Sequence, residues 1–148
     1  MTALAFAFLS CSREPYGTII HRRRDGRPDQ WENRIDLNSY EIAIDTNGDG
    51  IPDVTKIYKD NELVRIESDR NFDGKVDLVQ EFSRGVLVRE IRDDNFDGKP
   101  DLIKTFRPDG TLAIVERDPT GRGAIDVMEF YDSSGRLISR EQRSDEKQ

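Results

Sequence analysis

The sequence predicts an all-β fold: an antiparallel meander of five β-hairpin repeats of about 24 residues each, in a twisted or partly rolled sheet. Three observations predict it. A nine-residue acidic pattern recurs at an interval of 24 residues. Between its copies lie runs of five to seven residues rich in Val, Ile, Leu and aromatics, bounded by turn residues and too short for helices, which need roughly 10–12 residues. Only 34% of the 148 residues are hydrophobic and 36% are charged, where an average domain carries roughly 25% charged residues. The chain therefore lacks the material for a thick core.

Taken in chain order, Ala3–Leu9 is a short apolar run ending at Ser10 and Cys11. A helix needs roughly 20 apolar residues to span a bilayer, so this run reads as the hydrophobic part of a secretory signal. Phe8, Leu9, Ser10 and Cys11 resemble a bacterial lipobox, with Phe8 where Leu is usual. That resemblance implies cleavage after residue 10 and lipidation of Cys11. It also implies a lipid anchor to the bacterial cell envelope, at the outer membrane or the surface, or a periplasmic location without the anchor. Residues 11–20 then form a linker, 21–141 the repeat domain and 142–148 a frayed polar tail.

The acidic pattern runs Asp45, Asn47, Asp49, Gly50, Asp53, then Asp69, Asn71, Asp73, Gly74, Asp77, then Asp93, Asn95, Asp97, Gly98, Asp101. Outer copies are degenerate. The one starting at His21 keeps Asp25, Gly26 and Asp29, and the one starting at Asp118 keeps Gly123 and Asp126 but has Arg122 at the fifth position. Atypical end units are what a repeat array needs to cap itself. After each ninth-position Asp comes a short run whose fifth residue is aromatic: Tyr58, Phe82, Phe106 and Tyr131. A turn signal follows each run, at Asp60–Asn61, Arg84–Gly85, Asp109–Gly110 and Ser134–Gly135. Two strands per unit give about ten strands, with Asp loops at one end and tight turns at the other.

Each intact loop offers three carboxylates and an Asn carbonyl within nine residues. Positions 1, 3 and 5 direct hard oxygen ligands toward one centre, Gly at position 6 permits a sharp reversal, and position 7 (Ile51, Lys75 or Lys99) can supply a backbone carbonyl. Oxygen-only ligation suits Ca2+, before the stricter Mg2+. Zinc would want His or Cys, which the loops lack. The expected cofactor is Ca2+, about three ions, with Kd on the order of 10⁻⁴–10⁻³ M. Three such ions would move the net charge of −7 to about −1 and relieve crowded carboxylates. In the fifth unit Arg122 is expected to pair with Asp118 or Asp126 in place of an ion.

The first six loop positions resemble an EF-hand. An EF-hand, however, closes with Glu at position 12 and lies between helices, and here position 12 is Lys56, Gln80 or Lys104. The pattern D-x-[DN]-x-D-G-x-x-D is more similar to the β-hairpin calcium loops of integrin-type FG-GAP repeats. This resemblance implies that Asp53, Asp77 and Asp101 take over from the missing twelfth-position acid and that each loop joins two strands. It covers nine or ten residues per unit, and the 24-residue period departs from the longer propeller blade, so the propeller fold does not transfer. Tyr131–Leu137 looks like the YD repeats of bacterial surface proteins.

Composition narrows the function. One Cys and one His leave no disulfide framework, thiolate zinc site or His-rich metal catalysis. A pI near 4.8 and the absence of a broad basic face argue against nucleic acid as a partner. The basic cluster His21–Arg24 has two readings: a cap pairing with the neighbouring acidic loop, or contact with anionic headgroups. Phe72 and Phe96 are expected to pack on adjacent loops. No nucleophile motif, phosphate-cradling loop or dinucleotide fingerprint is present, and the paired carboxylates fit metal spacing better than glycoside hydrolysis. The expectation is a non-enzymatic, calcium-binding envelope lipoprotein whose ions stabilise a thin β-repeat domain. The alternative is a calcium-dependent adhesin or recognition module that binds a protein or glycan on an exposed sheet face.

Overall fold

A computed structural model describes residues 17–143. Cys11, the signal segment and residues 144–148 of the expected tail lie outside the described residues. The eleven strands are β1 (Thr18–Arg22), β2 (Pro28–Arg34), β3 (Tyr40–Ile44), β4 (Val54–Lys59), β5 (Glu62–Ser68), β6 (Leu78–Ser83), β7 (Val86–Arg92), β8 (Leu102–Phe106), β9 (Leu112–Arg117), β10 (Val127–Tyr131) and β11 (Leu137–Gln142). They form one sheet in chain order. Every pairing is antiparallel, and β1 and β11 are its open edges. The fold is the expected all-β meander, with one strand more than two per unit. That strand is β1, which occupies residues 18–22, partly where a linker was expected. Thr18, Ile19 and Ile20 are β-branched and suit a strand.

Among the described strands the sheet is a single layer: contacts run between sequential neighbours, so no other described strand covers either face. Ala43 and Ile44 point to opposite faces and begin two cross-strand rows. One row is Trp31, Ala43, Thr55, Glu67, Val79, Ile91 and Ile103. The other is Ile44, Val54, Ser68, Leu78, Arg92, Leu102, Arg117 and Val127. The best-buried apolar residues change face along the chain. Trp31, Ala43, Val79 and Ile91 lie in the first row, whereas Leu102 and Val127 lie in the second, joined on that face by Val115; Val115 and Val127 are 1% exposed. Charge ladders supplement this thin core. Arg65 reaches Glu67 at 2.7 Å and Glu81 at 2.9 Å, and Lys104 reaches Glu90 on the adjacent strand at 3.0 Å. The cross-strand pairs among these, Arg65–Glu81 and Lys104–Glu90, each contribute roughly 0.2–1 kcal/mol.

Alternating strand direction puts the acidic loops and the β1–β2 turn at one end of the sheet and the remaining turns at the opposite end. Asp60–Asn61 and Arg84–Gly85 all have positive φ, as a two-residue type I′ hairpin requires. Asp109–Gly110 and Ser134–Gly135 sit in five-residue turns closed by Arg107 N–H to Thr111 O at 2.8 Å and Asp132 N–H to Arg136 O at 2.9 Å. The turn after β1 is of this second kind. Arg23 N–H donates to Arg27 O at 2.8 Å and Gly26 N–H to Arg23 O at 2.9 Å. The first unit therefore closes as a short turn and not as a degenerate nine-residue loop, although Asp29 keeps its place in the frame.

Candidate metal centre

Backbone pairing fixes both ends of every loop. The position-1 N–H of Asp45, Asp69, Asp93 and Asp118 donates to the position-9 carbonyl of the preceding unit, Asp29, Asp53, Asp77 or Asp101, at 2.7–2.9 Å. The position-9 N–H of Asp53, Asp77, Asp101 and Asp126 donates to the residue just before its own loop, at 2.8–3.0 Å. Between these anchors the chain turns left-handed at positions 4 and 6. Position 6 is Gly50, Gly74, Gly98 or Gly123, and position 4 is Gly48, Gly121, Phe72 (φ 64) or Phe96 (φ 63). A bulky residue in that region is strained by roughly 1–2 kcal/mol.

The position-1 carboxylates are the internal scaffold. Asp45, Asp69, Asp93 and Asp118 are between 3% and 9% exposed, and each gathers loop amides. Asp45 accepts Gly48 N–H at 2.5 Å and Gly50 N–H at 2.9 Å. Asp69 accepts Phe72 N–H at 2.6 Å, Asp73 N–H at 3.2 Å and Gly74 N–H at 2.7 Å. Asp93 accepts Asp97 N–H at 3.3 Å and Gly98 N–H at 2.7 Å. Asp118 accepts the hydroxyl and N–H of Thr120 and the N–H groups of Gly123 and Ala124. Burial works against its charge, but these donors outweigh burial and hold its carboxyl down to about 2.

Positions 3, 5 and 7 form successive Asx turns. Asn47, Asn71 and Asn95 accept the N–H of Asp49, Asp73 and Asp97 through Oδ1, at 2.8, 3.1 and 2.9 Å. Those carboxylates in turn accept the N–H of Ile51, Lys75 and Lys99 through Oδ1, at 2.7, 2.9 and 2.9 Å. Each position-5 Asp keeps its Oδ2 outside this chain of Asx turns.

That oxygen and the Oδ1 of position 9 are where the loops differ. In 45–53, Asn47 Nδ2 donates to both Asp49 Oδ2 at 3.1 Å and Asp53 Oδ1 at 3.4 Å. In 93–101, Asn95 Nδ2 does the same to Asp97 Oδ2 at 3.4 Å and Asp101 Oδ1 at 3.2 Å. The middle loop uses cations. Arg70 Nε donates to Asp77 Oδ1 at 2.7 Å, and Lys75 Nζ lies 4.0 Å from Asp73 Oδ2. Arg70 also ties this loop to the next, through Asp93 O at 2.8 Å and Asp94 Oδ1 at 3.1 Å, with its guanidinium 5.8 Å from the Phe96 ring centre. Burial opposes the charge on Arg70, but Asp77 and Asp94 outweigh it and raise its pKa above the ordinary value. Phe96 helps line a small cleft against Asp73, Lys75, Val76 and Asp77, so one side of its ring meets the adjacent loop, although both it and Phe72 stay exposed, at 41% and 52%.

In the fifth unit Arg122 lies 3.5 Å from Asp126, the pairing expected of it. In the first, His21 Nδ1 meets Asp29 Oδ1 at 2.5 Å, and Arg23 lies 3.9 Å from Asp29 and 3.6 Å from Asp45. His21 and Arg23 of the basic cluster thus pair with neighbouring acids, while Arg22 bonds the Gly26 carbonyl. Closing carboxylates that face a basic side chain (Asp29, Asp77, Asp126) alternate with those whose partners are neutral donors (Asp53, Asp101).

In 45–53 and 93–101 two carboxylate oxygens converge on one amide nitrogen and each retains lone pairs. Yet among the described residues no three or more His, Cys, Asp or Glu side chains gather closely enough to hold a metal ion. The position-1 carboxylates face backbone amides. Sequence reading named the acidic residues at positions 1, 5 and 9 of these loops but not Asp94, at position 2 of the third, which pairs with Arg70 and Arg92. It missed Arg70 as the partner of Asp77 and Thr46 as a donor to Asp53 (N–H 2.7 Å, Oγ1 2.6 Å), although both sit at position 2, where the residue type varies most between units. No protein-family model matches this chain, and a search of the curated proteins finds no match.

Proposed function

We propose that this is a non-enzymatic calcium-binding protein of the bacterial cell envelope, anchored through Cys11, whose Asp/Asn loops take Ca2+ and thereby stabilise a thin β-repeat domain. The observation that carries this reading is the convergence of the position-5 and position-9 carboxylate oxygens on a single weakly positive amide group in 45–53 and 93–101. A divalent ion there would supply charge that an amide cannot. Asn47 and Asn95 would turn a carbonyl oxygen toward it, and the carbonyls of Ile51 and Lys99 stand next along the loop. A single-layer sheet has little apolar burial to spare, so ligand binding to the folded state matters more here than in a thick domain.

The test is thermal unfolding with Ca2+ and with chelator. At about 1 mM Ca2+ and a Kd on the order of 10⁻⁴ M, each ion adds about 1.4 kcal/mol, so the midpoint should rise on the order of 10 °C. An unchanged midpoint sinks the calcium reading. Metabolic labelling with a lipid precursor, lost in Cys11→Ala, tests the anchor. A second reading has one observation in its favour: both faces are uncovered by other strands, which suits a calcium-dependent module that recognises a protein or glycan. Chelator-sensitive retention on an immobilised glycan or protein array would favour it.

A further inference from the structure

At the end of the sheet opposite the acidic loops, one turn holds apolar side chains out in solvent. Residues 35–39 join β2 to β3. The N–H groups of Ile35 and Asp36 donate to Ser39 O at 2.9 and 3.1 Å. Asp36 Oδ1 accepts the N–H groups of Asn38 and Ser39, both at 2.8 Å, and Arg34 donates to Leu37 O at 3.3 Å. Asn61 N–H, from the neighbouring hairpin, donates to Asn38 O at 2.8 Å. The turn is braced on several sides, yet Leu37 in it is 87% exposed and Ile35 62%. Leu37 is the most exposed large hydrophobic side chain among the described residues, so its burial contributes almost nothing to folding.

The chain enters the sheet at this same place. Thr18 pairs with Glu32, and a side chain at Gly17 would collide with Glu32 O, so Gly17 lies against β2 close to the 35–39 turn. Cys11 precedes Gly17 by six residues, a reach of at most roughly 20 Å. Strands of five to seven residues are themselves roughly 17–24 Å long. Bringing the loop end to a surface that holds Cys11 would therefore use the whole tether. Charge points the same way. The segments joining strands at the loop end hold thirteen Asp against seven Lys or Arg, whereas those at the turn end hold four against three. Ile51, Phe72 and Phe96 are exposed too, but they stand among those carboxylates, which an anionic headgroup surface repels.

We propose that the 35–39 turn seats the protein on the lipid bilayer: with Cys11 lipidated, Leu37 and Ile35 dip into the headgroup region and the acidic loops face away from the membrane. The inference rests on the lipid-anchor reading above and is independent of calcium.

The test uses the lipidated protein, purified from envelope membranes and reconstituted into vesicles of phosphatidylethanolamine and phosphatidylglycerol. Cys11 is the only native Cys, and on the anchor reading its sulfur carries the lipid. Lys59→Cys, on the hairpin beside the turn, and Ile51→Cys, at the loop end, therefore each place one fluorophore while leaving Leu37 in position. Doxyl-labelled lipid should quench the label at 59 severalfold more than the label at 51, and aqueous iodide should do the reverse. Adding Ile35→Ser and Leu37→Ser should bring lipid quenching at 59 down toward the value at 51. Equal quenching at the two sites, or quenching at 59 that ignores the double substitution, overturns the inference while the lipid on Cys11 leaves the anchor reading standing. A double variant that unfolds assigns these side chains to folding and overturns it as well. Cys11 found without lipid sinks the anchor reading and this inference with it.

Discussion

At one end of the sheet, beyond the short β1–β2 turn, the chain reverses through four nine-residue loops built around carboxylates that are less than a tenth exposed. At the other it reverses in two to five residues, around exposed groups such as Asp60, Asn61 and Asp109. Both ends use left-handed backbone, but the loop end adds buried charge satisfied by amides. The contrast shows how a chain poor in apolar residues can make a firm edge: a carboxylate that gathers two or three N–H groups replaces a hydrophobic cap. Sensitivity to substitution should therefore concentrate at the loop end.

The largest effect is expected from removing a scaffold carboxylate. Asp69→Ala leaves the N–H groups of Phe72, Asp73 and Gly74 without their acceptor, which should cost about 3 kcal/mol in chelator. Asp109→Ala, on an exposed turn, should lose far less in the same denaturant titration. Equal losses would erase the distinction between the two ends.

A smaller, two-signed effect separates backbone strain from packing within the loop end. Gly74 has φ 86 and open space where a Cβ would stand, so Gly74→Ala should cost roughly 1 kcal/mol through backbone alone. Phe72→Gly, at φ 64 with a half-exposed ring, should change stability in the opposite direction. A loss on Phe72→Gly would show that the ring contributes more than its strained backbone costs.

The smallest effects concern acid. Asp118 at the loop end and Asp132 at the turn end are both held down to about 2, from an ordinary 3.8. For Asp132 the cause is first the Ser134 hydroxyl, then the Arg136 N–H, acting against a smaller opposing effect of burial. A carboxyl lowered in the folded state contributes stability that is complete above 3.8 and lost as pH falls toward 2. Asp118→Asn and Asp132→Asn should each flatten the dependence of stability on pH in that window, measured by urea midpoints at steps of pH. No change in slope for either would separate these carboxylates from acid unfolding.

Most of the architecture was legible in the sequence, because one motif recurring every 24 residues sets strand length, loop end and turn end together. The turn pairs at Asp60–Asn61 and Arg84–Gly85 were legible too, since they carry their own conformational preference. The strand β1 was not, because Ile19 and Ile20 precede the first recognisable unit and their strand character comes from pairing with β2. Nor was the short turn at Arg23–Arg27, where Asp25 and Gly26 fit either frame. The acidic site residues could be read from spacing. The partner of Asp77 could not, because a long guanidinium at position 2 reaches the ninth residue of its own loop and the first of the next, contacts that depend on the folded strands standing side by side.

That side-by-side order has a quantitative corollary. Successive acidic loops are two strands apart, roughly 9–10 Å, and physiological salt damps charge over about 8 Å. On the calcium reading proposed above, an ion in one loop would be only dimly sensed by the next, all the more between 69–77 and 93–101, where the Arg70 guanidinium stands. On that reading a row built this way would fill gradually as ions become plentiful, one station at a time, and behave as a graded brace and not as a trigger.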